Sequence, residues 1–569
     1  MFGPTVSSGK VKFSLWAPYQ ERASVEILGN GIYDMVKDDM GFFSVEVATE
    51  PNSLYKFLIK EGKVPDPASR YQPQGVHGYS QVVSPDFPWT DQGWRGVNKD
   101  ELVIYELHVG TFSEEGTFKG VINKLSYLKD LGVTAIELMP VAQFPGSWGW
   151  GYDGVYPFAV QNSYGRPQDL KELVNQAHSA GISVVLDVVY NHVGPEGNYM
   201  PLLGPYLTDK YKTPWGLTFN FDDMGSDQVR ALVLENLEYW MGEFHIDGFR
   251  LDAVHAIVDN SPKHILEDIA DLVHSRGKVV IAESDLNDPR IVSPKDICGY
   301  NLDAQWVDDF HHSVHAYLTG EREGYFSDFG SLEDLVKALR DVFVYDGRYS
   351  KFRGKTHGRP IPPQVDRNRF VVYVQNHDQV GNRGGGERLS TLVDLDKYKV
   401  AAAIYLLSPF VPMIFMGEEY GERNPFYYFS DFSDQKIAQG VREGRRRDNS
   451  QVTDPQSRDT FLRSKLSWSF DQEILSFYRE LIRIRKIYRP KGSPEVRKGD
   501  GWLQIKTGNV LSIFTFSENS VDVTYTGKLL LSSVKFPEII EPGTVKLKRG
   551  VGVYKIEESL ALKAGIESV

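Results

Sequence analysis

Three carboxylates stand at the ends of apolar, strand-like runs, each with a different companion. In Asp247-Gly248-Phe249-Arg250-Leu251-Asp252-Ala253-Val254-His255, Arg250 and Asp252 lie two residues apart, on one face of an extended chain. A guanidinium beside a carboxylate keeps it ionised and oriented, as a nucleophile requires; the same spacing also suits a structural ion pair. The run Val279-Val280-Ile281-Ala282 ends in Glu283. A carboxyl in so apolar a setting tends to hold its proton and can act as a general acid, although a plain strand terminus would read the same. A third run ends Val374-Gln375-Asn376-His377-Asp378-Gln379, where Asp378 could hydrogen-bond sugar hydroxyls or cap the following loop. Two carboxylates flanking a cleft are what cleavage of a glycosidic bond needs.

Such residues converge only if the strands share a mouth, and the surrounding pattern provides one. Strand-like runs at Leu102–Val109, Ala135–Val141, Ser183–Tyr190, Gly248–Val254, Lys278–Ser284, Ala304–Asp309, Arg369–Asn376 and Pro412–Gly417 alternate with amphipathic helical runs such as Val121–Leu131, Asp169–Ala180, Gln228–Phe244 and Ser331–Val342. Eight strands with intervening helices predict a (β/α)8 barrel, an α/β fold whose strand C-termini face one rim. Short alternating segments at 10–86 predict an N-terminal β-sandwich, followed by a linker at Pro65–Asn98. Alternation returns after Arg485 in 502–506, 510–516, 527–531 and 552–556, and the tail 557–569 is weakly amphipathic. The expected division is 1–90 for the sandwich, 91–490 for the barrel and 491–569 for an all-β domain with its tail.

Composition narrows the partners. The chain has 569 residues, 41% hydrophobic and 24% charged, enough to bury a large core. A net charge of −13 with no long basic tract argues against nucleic acid or an anionic membrane as partner. Val400–Met416 is interrupted by prolines and falls short of the ~18 residues of a membrane span. The start Met1-Phe2-Gly3-Pro4 lacks a signal-peptide pattern, and the single cysteine, Cys298, suits a reducing cytoplasm. An odd thiol in a loop-like stretch can still pair between chains, so monomer and homodimer both stand. His311 and His315 share i, i+4 spacing without the Glu of a metalloprotease motif, and the Asn191-His192 loop is not Asp-rich, so neither a metal nor another cofactor is expected.

Four segments, Asp187-Val188-Val189-Tyr190-Asn191-His192, Gly248 to His255, Glu283 after its apolar run, and Asn376-His377-Asp378, resemble in order and spacing the four signature regions of the α-amylase superfamily of glycoside hydrolases. Gly151-Tyr152-Asp153 is similar to the family's aromatic platform and its polar neighbour. The resemblance implies a barrel flanked by β-domains, with Asp252 as nucleophile, Glu283 as general acid/base and Asp378 as transition-state stabiliser. It implies that Tyr152, Asp153, His192, Arg250 and His377 line the subsite of the cleaved sugar, with His255 and Asn191 as hydroxyl or supporting contacts. In a retaining mechanism the catalytic carboxyls stand ~5 to 5.5 Å apart.

Within the superfamily, Tyr105–Phe112, Trp306–Gly320, Gln375–Arg383 and Gly417–Gly421 most resemble the branch that releases trehalose from maltooligosyl trehalose. Gln379 stands where branching enzymes usually carry Glu. That likeness implies α-glucan substrates and a functional partnership with a maltooligosyl trehalose synthase. Recognition of the trehalose end then falls to the loops after strands six to eight, where Asp308, Asp309, His311, Gln379 and Glu419 are the expected contacts, or only order the loops, and Asn382 is a further expected substrate contact. Trp148, Trp150 and Trp215 are further candidates for sugar contact. A branching or debranching enzyme is the alternative within enzymes. A non-catalytic glucan-binding protein would have lost a carboxylate, and all three are present.

Overall fold

The computed structural model describes residues 1–517, 521–524, 527–533, 538–541, 544–547 and 549–556; the expected amphipathic tail 557–569 lies outside them. Eight parallel strands close into a barrel: β1 (Ile104–Leu107), β2 (Ala135–Leu138), β3 (Ser183–Val188), β4 (Gly248–Leu251), β5 (Val279–Ala282), β6 (Ala304–Trp306), β7 (Phe370–Val372) and β8 (Val411–Phe415). Side chains pointing inward, among them Ile104, Ala135, Ile281, Trp306, Tyr373 and Met413, fill the interior as a core of their own. Outside runs a ring of helices, among them Pro167–Ser179, Ser226–Glu243, Ile265–Ser275, Asp308–Thr319, Leu332–Asp341, Leu395–Leu406 and Gln472–Tyr488.

Several strands are shorter than expected, for a local reason. β4 stops at Leu251 because Ala253 takes a left-handed backbone with φ 39°, which turns the chain out of the sheet just past Asp252. β7 stops at Val372, and Asn376 instead caps a short helix, His377–Gly381, by accepting the Gln379 amide at 2.8 Å. His377 and Asp378 are therefore in a first helical turn rather than on a strand. The helical run expected at 121–131 is two helices, Phe118–Ile122 and Leu125–Leu131, which meet at Asn123-Lys124.

At the N-terminus, two antiparallel sheets pack face to face. One is ordered Thr5–Ser7, Lys10–Trp16, Phe42–Val47, Val36–Lys37; the other Gly31–Asp34, Ser24–Ile27, Leu54–Ile59, Gly62–Val64, with Ser80–Gln81 added beside Leu54–Ile59. Alternate residues point inward, and Phe13 meets Tyr55 across the two sheets at 4.8 Å. The stretch Pro65–Asn98 is not a free linker. Asp66 is buried and accepts the Tyr55 hydroxyl and the Ala68 amide at 2.7 and 2.8 Å, while further on Trp94 donates to Asp247 beneath the barrel at 2.8 Å. Its Pro and Gly content reads as a linker, but its buried polar groups are all engaged, which packs it as a strap.

The sandwich also grips the long excursion between β3 and Ser226–Glu243, which carries the hairpin Leu207–Thr213/Gly216–Phe219. Tyr206 donates to the Trp16 carbonyl at 2.8 Å and packs edge-on to its ring, and Gln20 donates to the Leu202 carbonyl. The Phe2 amide reaches Glu235 at 2.8 Å. After the barrel, a five-stranded antiparallel sheet (Glu495–Gly499, Trp502–Thr507, Val510–Thr515, Gly550–Lys555, Lys528–Ser532) and a three-stranded one form the C-terminal β-domain.

Candidate active site

At the C-terminal rim, Asp252 and Glu283 each follow their strand by one residue, and their amides continue the parallel ladder, donating to Val188 and Leu251 carbonyls at 3.0 Å. Backbone pairing thus fixes both Cα positions. Arg250, fully buried on β4, reaches Asp252 Oδ1 at 2.8 Å through Nη1, which also donates to both oxygens of Asp187 on β3 at 3.0 and 2.8 Å, while its Nη2 stands 3.5 Å from Glu283 Oε2. The Asn191 amide adds a second bond to Asp252, at 2.8 Å to Oδ2. The turn at Ala253 aims its own N–H at Glu283 Oε2, 2.6 Å away.

Burial drives the Glu283 carboxyl upward to about 8; Arg250 opposes the rise, and the neighbouring charges of Asp252, Asp378 and Asp308 add to it. Glu283 therefore carries its proton at neutral pH. The Asp252 and Glu283 side chains are 13% and 16% exposed, whereas Asp378 opposite them is 40% exposed. Two are held by the wall and one faces the cleft. Asp378 is steadied by the Asn382 amide at 3.1 Å, and Asn382 is held in turn by Arg445.

Tyr152, from the excursion after β2, lies over the His377 ring and donates to Asp187 Oδ2 at 2.6 Å. His192 donates from Nε2 to the Tyr152 carbonyl and its Nδ1 lies against Asn191 Oδ1, so it braces the platform from behind. Asp153 is half-buried at the rim, 3.4 Å from the Tyr428 hydroxyl, and His255 sits beside Asp285 and the exposed ring of Trp215. On the far wall, Gln379 bridges the Tyr325 hydroxyl and Asp308, and Tyr373 also donates to Asp308. Burial raises Asp308 to about 6, with the Tyr373 bond opposing.

Three expected contacts are elsewhere. Asp309 is buried, and its carboxylate accepts the Asn287 amide and the backbone N–H groups of Val344 and Tyr345, so it pins a loop. His311 is enclosed by His312, His315, Phe326 and Tyr373, and burial holds it well below its ordinary range, as a neutral ring. Glu419 is fully buried and accepts the Tyr105 and Tyr127 hydroxyls. Trp150 is likewise buried backing, stacked on Phe426 and donating to the Tyr427 carbonyl, whereas Trp148 is half-buried and stacks on Phe461. Among the described residues, no group of three or more His, Cys, Asp or Glu is placed to hold a metal ion.

Two further carboxylates, Glu106 and Asp187, join the site although the sequence alone assigns them no role. Glu106, inward-facing on β1, accepts His377 Nδ1 and the His377 amide. The available signal was only a carboxylate set within an otherwise apolar run.

The "alpha amylase, catalytic domain" family model matches residues 89–203 and 222–489, and the "alpha-amylase, C terminal" model matches 491–555. The chain is 62% identical to the malto-oligosyltrehalose trehalohydrolase of Saccharolobus solfataricus over 98% of its own length and 100% of that protein's, and 41% identical to the enzyme of the same name from Rhizobium sp. over 92% and 94%. A solved Salmonella typhimurium structure assigned as an α-amylase superposes with a TM-score of 0.91 at 37% identity, covering 98% of this chain and 99% of the other. With a complete barrel, an arginine-clamped pair of carboxyls and these relatives, the chain belongs to the α-amylase family of glycoside hydrolases and, within it, to the malto-oligosyltrehalose trehalohydrolases.

Proposed function

We propose that the chain is a retaining hydrolase that cuts the α-1,4-glucosidic bond next to the terminal trehalose of maltooligosyl trehalose, releasing trehalose and a maltooligosaccharide. Asp252 attacks the anomeric carbon while Glu283 gives its proton to the departing glycosidic oxygen. A covalent glycosyl ester on Asp252 results, and water, deprotonated by Glu283, then hydrolyses it. Asp378, Tyr152, His377 and Arg250 bind and stabilise the distorted sugar. One observation carries this assignment: a single buried guanidinium touches both carboxyls while burial keeps Glu283 protonated at neutral pH.

For the substrate, support comes from relatives that bear the trehalohydrolase name over nearly the whole chain. It also comes from a wall of polar and aromatic groups, Asp308, Gln379 and Tyr325, beside the acid. Cytoplasmic location, supply of substrate by a maltooligosyl trehalose synthase, and the division at 1–90, 91–490 and 491–569 belong to the same proposal. Chromatography of products decides it. Maltooligosyl trehalose is cleaved at least ~100-fold more efficiently than a plain maltooligosaccharide of equal length. Comparable kcat/KM on the two, or new α-1,6 branches in an amylose incubation, would overturn the substrate and leave the three-carboxylate chemistry standing.

A further inference from the structure

A continuous chain of contacts crosses the barrel under the site. Glu106 on β1 accepts His377 Nδ1 with one oxygen and the His377 backbone N–H with the other, at 3.0 Å. His377 Nε2 lies 2.9 Å from the Tyr152 hydroxyl, which is 2.6 Å from Asp187 Oδ2. Asp187 holds Arg250, and Arg250 holds Asp252 at 2.8 Å. Every member except Tyr152 is anchored at a strand, or just beyond one, and the chain ends on the nucleophile.

The direction of these bonds depends on one ring. Tyr152 has a single O–H, so it can donate to Asp187 or to His377, not to both. It donates to Asp187 only if His377 Nε2 carries a proton and is itself a donor. Since Nδ1–H is already directed at Glu106, the ring must then be doubly protonated. We propose that Glu106 is a positioning residue: by holding His377 as an imidazolium, it fixes the polarity of the whole chain and so keeps Arg250 turned toward Asp252.

The charges around the ring agree. Burial works against a charged His377, but Glu106 and Asp378 overcome it and hold the ring at about 9, with Arg250 opposing. His108 also faces this region and is neutral at working pH, because burial lowers it to about 4. Glu137 is the neighbour of Glu106 in the sheet register, is buried, and has no hydrogen-bond partner on either oxygen. Burial, reinforced by Glu106 and Asp187, pushes it far above the carboxylate range, so it is uncharged and does not compete for the imidazolium. Two cations, Arg250 and His377, thus face Asp187 and Glu106; burial raises Asp187 to about 7, with Arg250 and His377 opposing, and both of its oxygens accept Arg250 Nη1.

The inference rests on the proposed catalytic roles, but its test reads protonation directly. In protein labelled with 15N at its 13 histidines, the His377 signal, identified by its loss in His377→Gln, shows both ring nitrogens protonated at pH 7. In Glu106→Gln the ring becomes neutral, and Glu106→Asp restores the charge. Kinetically, Glu106→Gln lowers kcat/KM roughly 10- to 100-fold, the scale for residues that orient a working ligand. That deficit shrinks as the pH falls and the imidazolium returns, a trend that a purely structural lesion would not show. A neutral His377 in the wild-type protein, or a Glu106→Gln deficit independent of pH, overturns the proposal. The wild-type spectrum serves even if the glutamine variant does not fold. Because it needs no substrate, failure to release trehalose is a separate result.

Discussion

The barrel carries one buried acid at its floor, just before β4, and another at its mouth, just after β5, and the two are treated in opposite ways. At the barrel floor, Asp247 fills every acceptor position: Oδ1 takes Trp94 and Lys278, and Oδ2 takes His178 and the Val184 amide, at 2.8 to 3.2 Å. Burial works against its charge, but His178 and Lys278 hold it below the ordinary carboxylate range. At the mouth, Glu283 has a single hydrogen bond, from the Ala253 amide, and a guanidinium at 3.5 Å. The floor carboxylate is saturated and locked in one charge state. The mouth carboxyl is left short of donors, so it keeps a proton to give away and room for a sugar oxygen. Charge density alone does not mark a reactive site; incomplete coordination does.

The strongest way to break this contrast is to swap the consequences. Asp252→Ala and Glu283→Gln each lower turnover by at least ~10³-fold while the protein stays folded. A variant retaining more than a tenth of wild-type activity loses its role. Asp247→Asn does the reverse: breaking a buried ion pair costs roughly 3–5 kcal/mol, seen as a lower Tm, while turnover per folded molecule stays within a few-fold. Were Asp247→Asn catalytically dead but stable, floor and mouth would not be separable.

A subtler difference is the sign of the pH dependence. Glu283 keeps its proton up to about 8 in the folded chain and releases it near ~4.3 when unfolded. Between those values the folded state binds more protons, so this residue makes stability fall as pH rises. Asp247 is depressed on folding and so adds stability that is present above the ordinary carboxylate range and lost as pH falls below it. Melting curves therefore show Glu283→Gln gaining on the wild type from pH 5 to 9. The Asp247→Asn deficit instead closes toward acid pH.

The smallest expected effect separates adjacent residues at the start of one helix. Asp309→Asn costs ~1–3 kcal/mol by weakening a buried acceptor of backbone N–H groups, and it shifts the preference for maltooligosyl trehalose over plain maltooligosaccharide less than ~2-fold. Asp308→Asn leaves stability closer to wild type and shifts that ratio at least ~10-fold, since it removes a charge at the sugar-facing wall. If the two variants behave alike, the assignment of that wall is wrong.

Those two aspartates also show what could be read before folding. Asp252, Glu283 and Asp378 stand out because a carboxylate ending an apolar run has nowhere to go but the rim. Asp308 and Asp309 look identical in sequence, yet helix Asp308–Thr319 points one to the cleft and the other to the backbone of 344–345. Glu419 was misplaced for a related reason: the partners that bury it, Tyr105 and Tyr127, are about 300 residues away in the chain. Glu106 stayed hidden because barrel strands are buried on both faces and show no clean alternation, so an inward acid does not announce itself. The strap at Pro65–Asn98 was invisible because turn-rich composition looks the same whether or not its polar groups are buried.

The grip of the N-terminal sandwich on residues 199–225 has a practical side. The same excursion carries Trp215, whose half-exposed ring stands over His192 and His255 at the cleft edge. Trimming the chain at residue 90 would therefore strip the Trp16–Tyr206 contact and the bonds from Gln20 and the Tyr19 amide to Leu202 and Leu203, and leave a stretch of the cleft rim unsupported. The leading segment is scaffolding for the catalytic entrance, and a shortened enzyme meant to be smaller would arrive with a collapsed doorway.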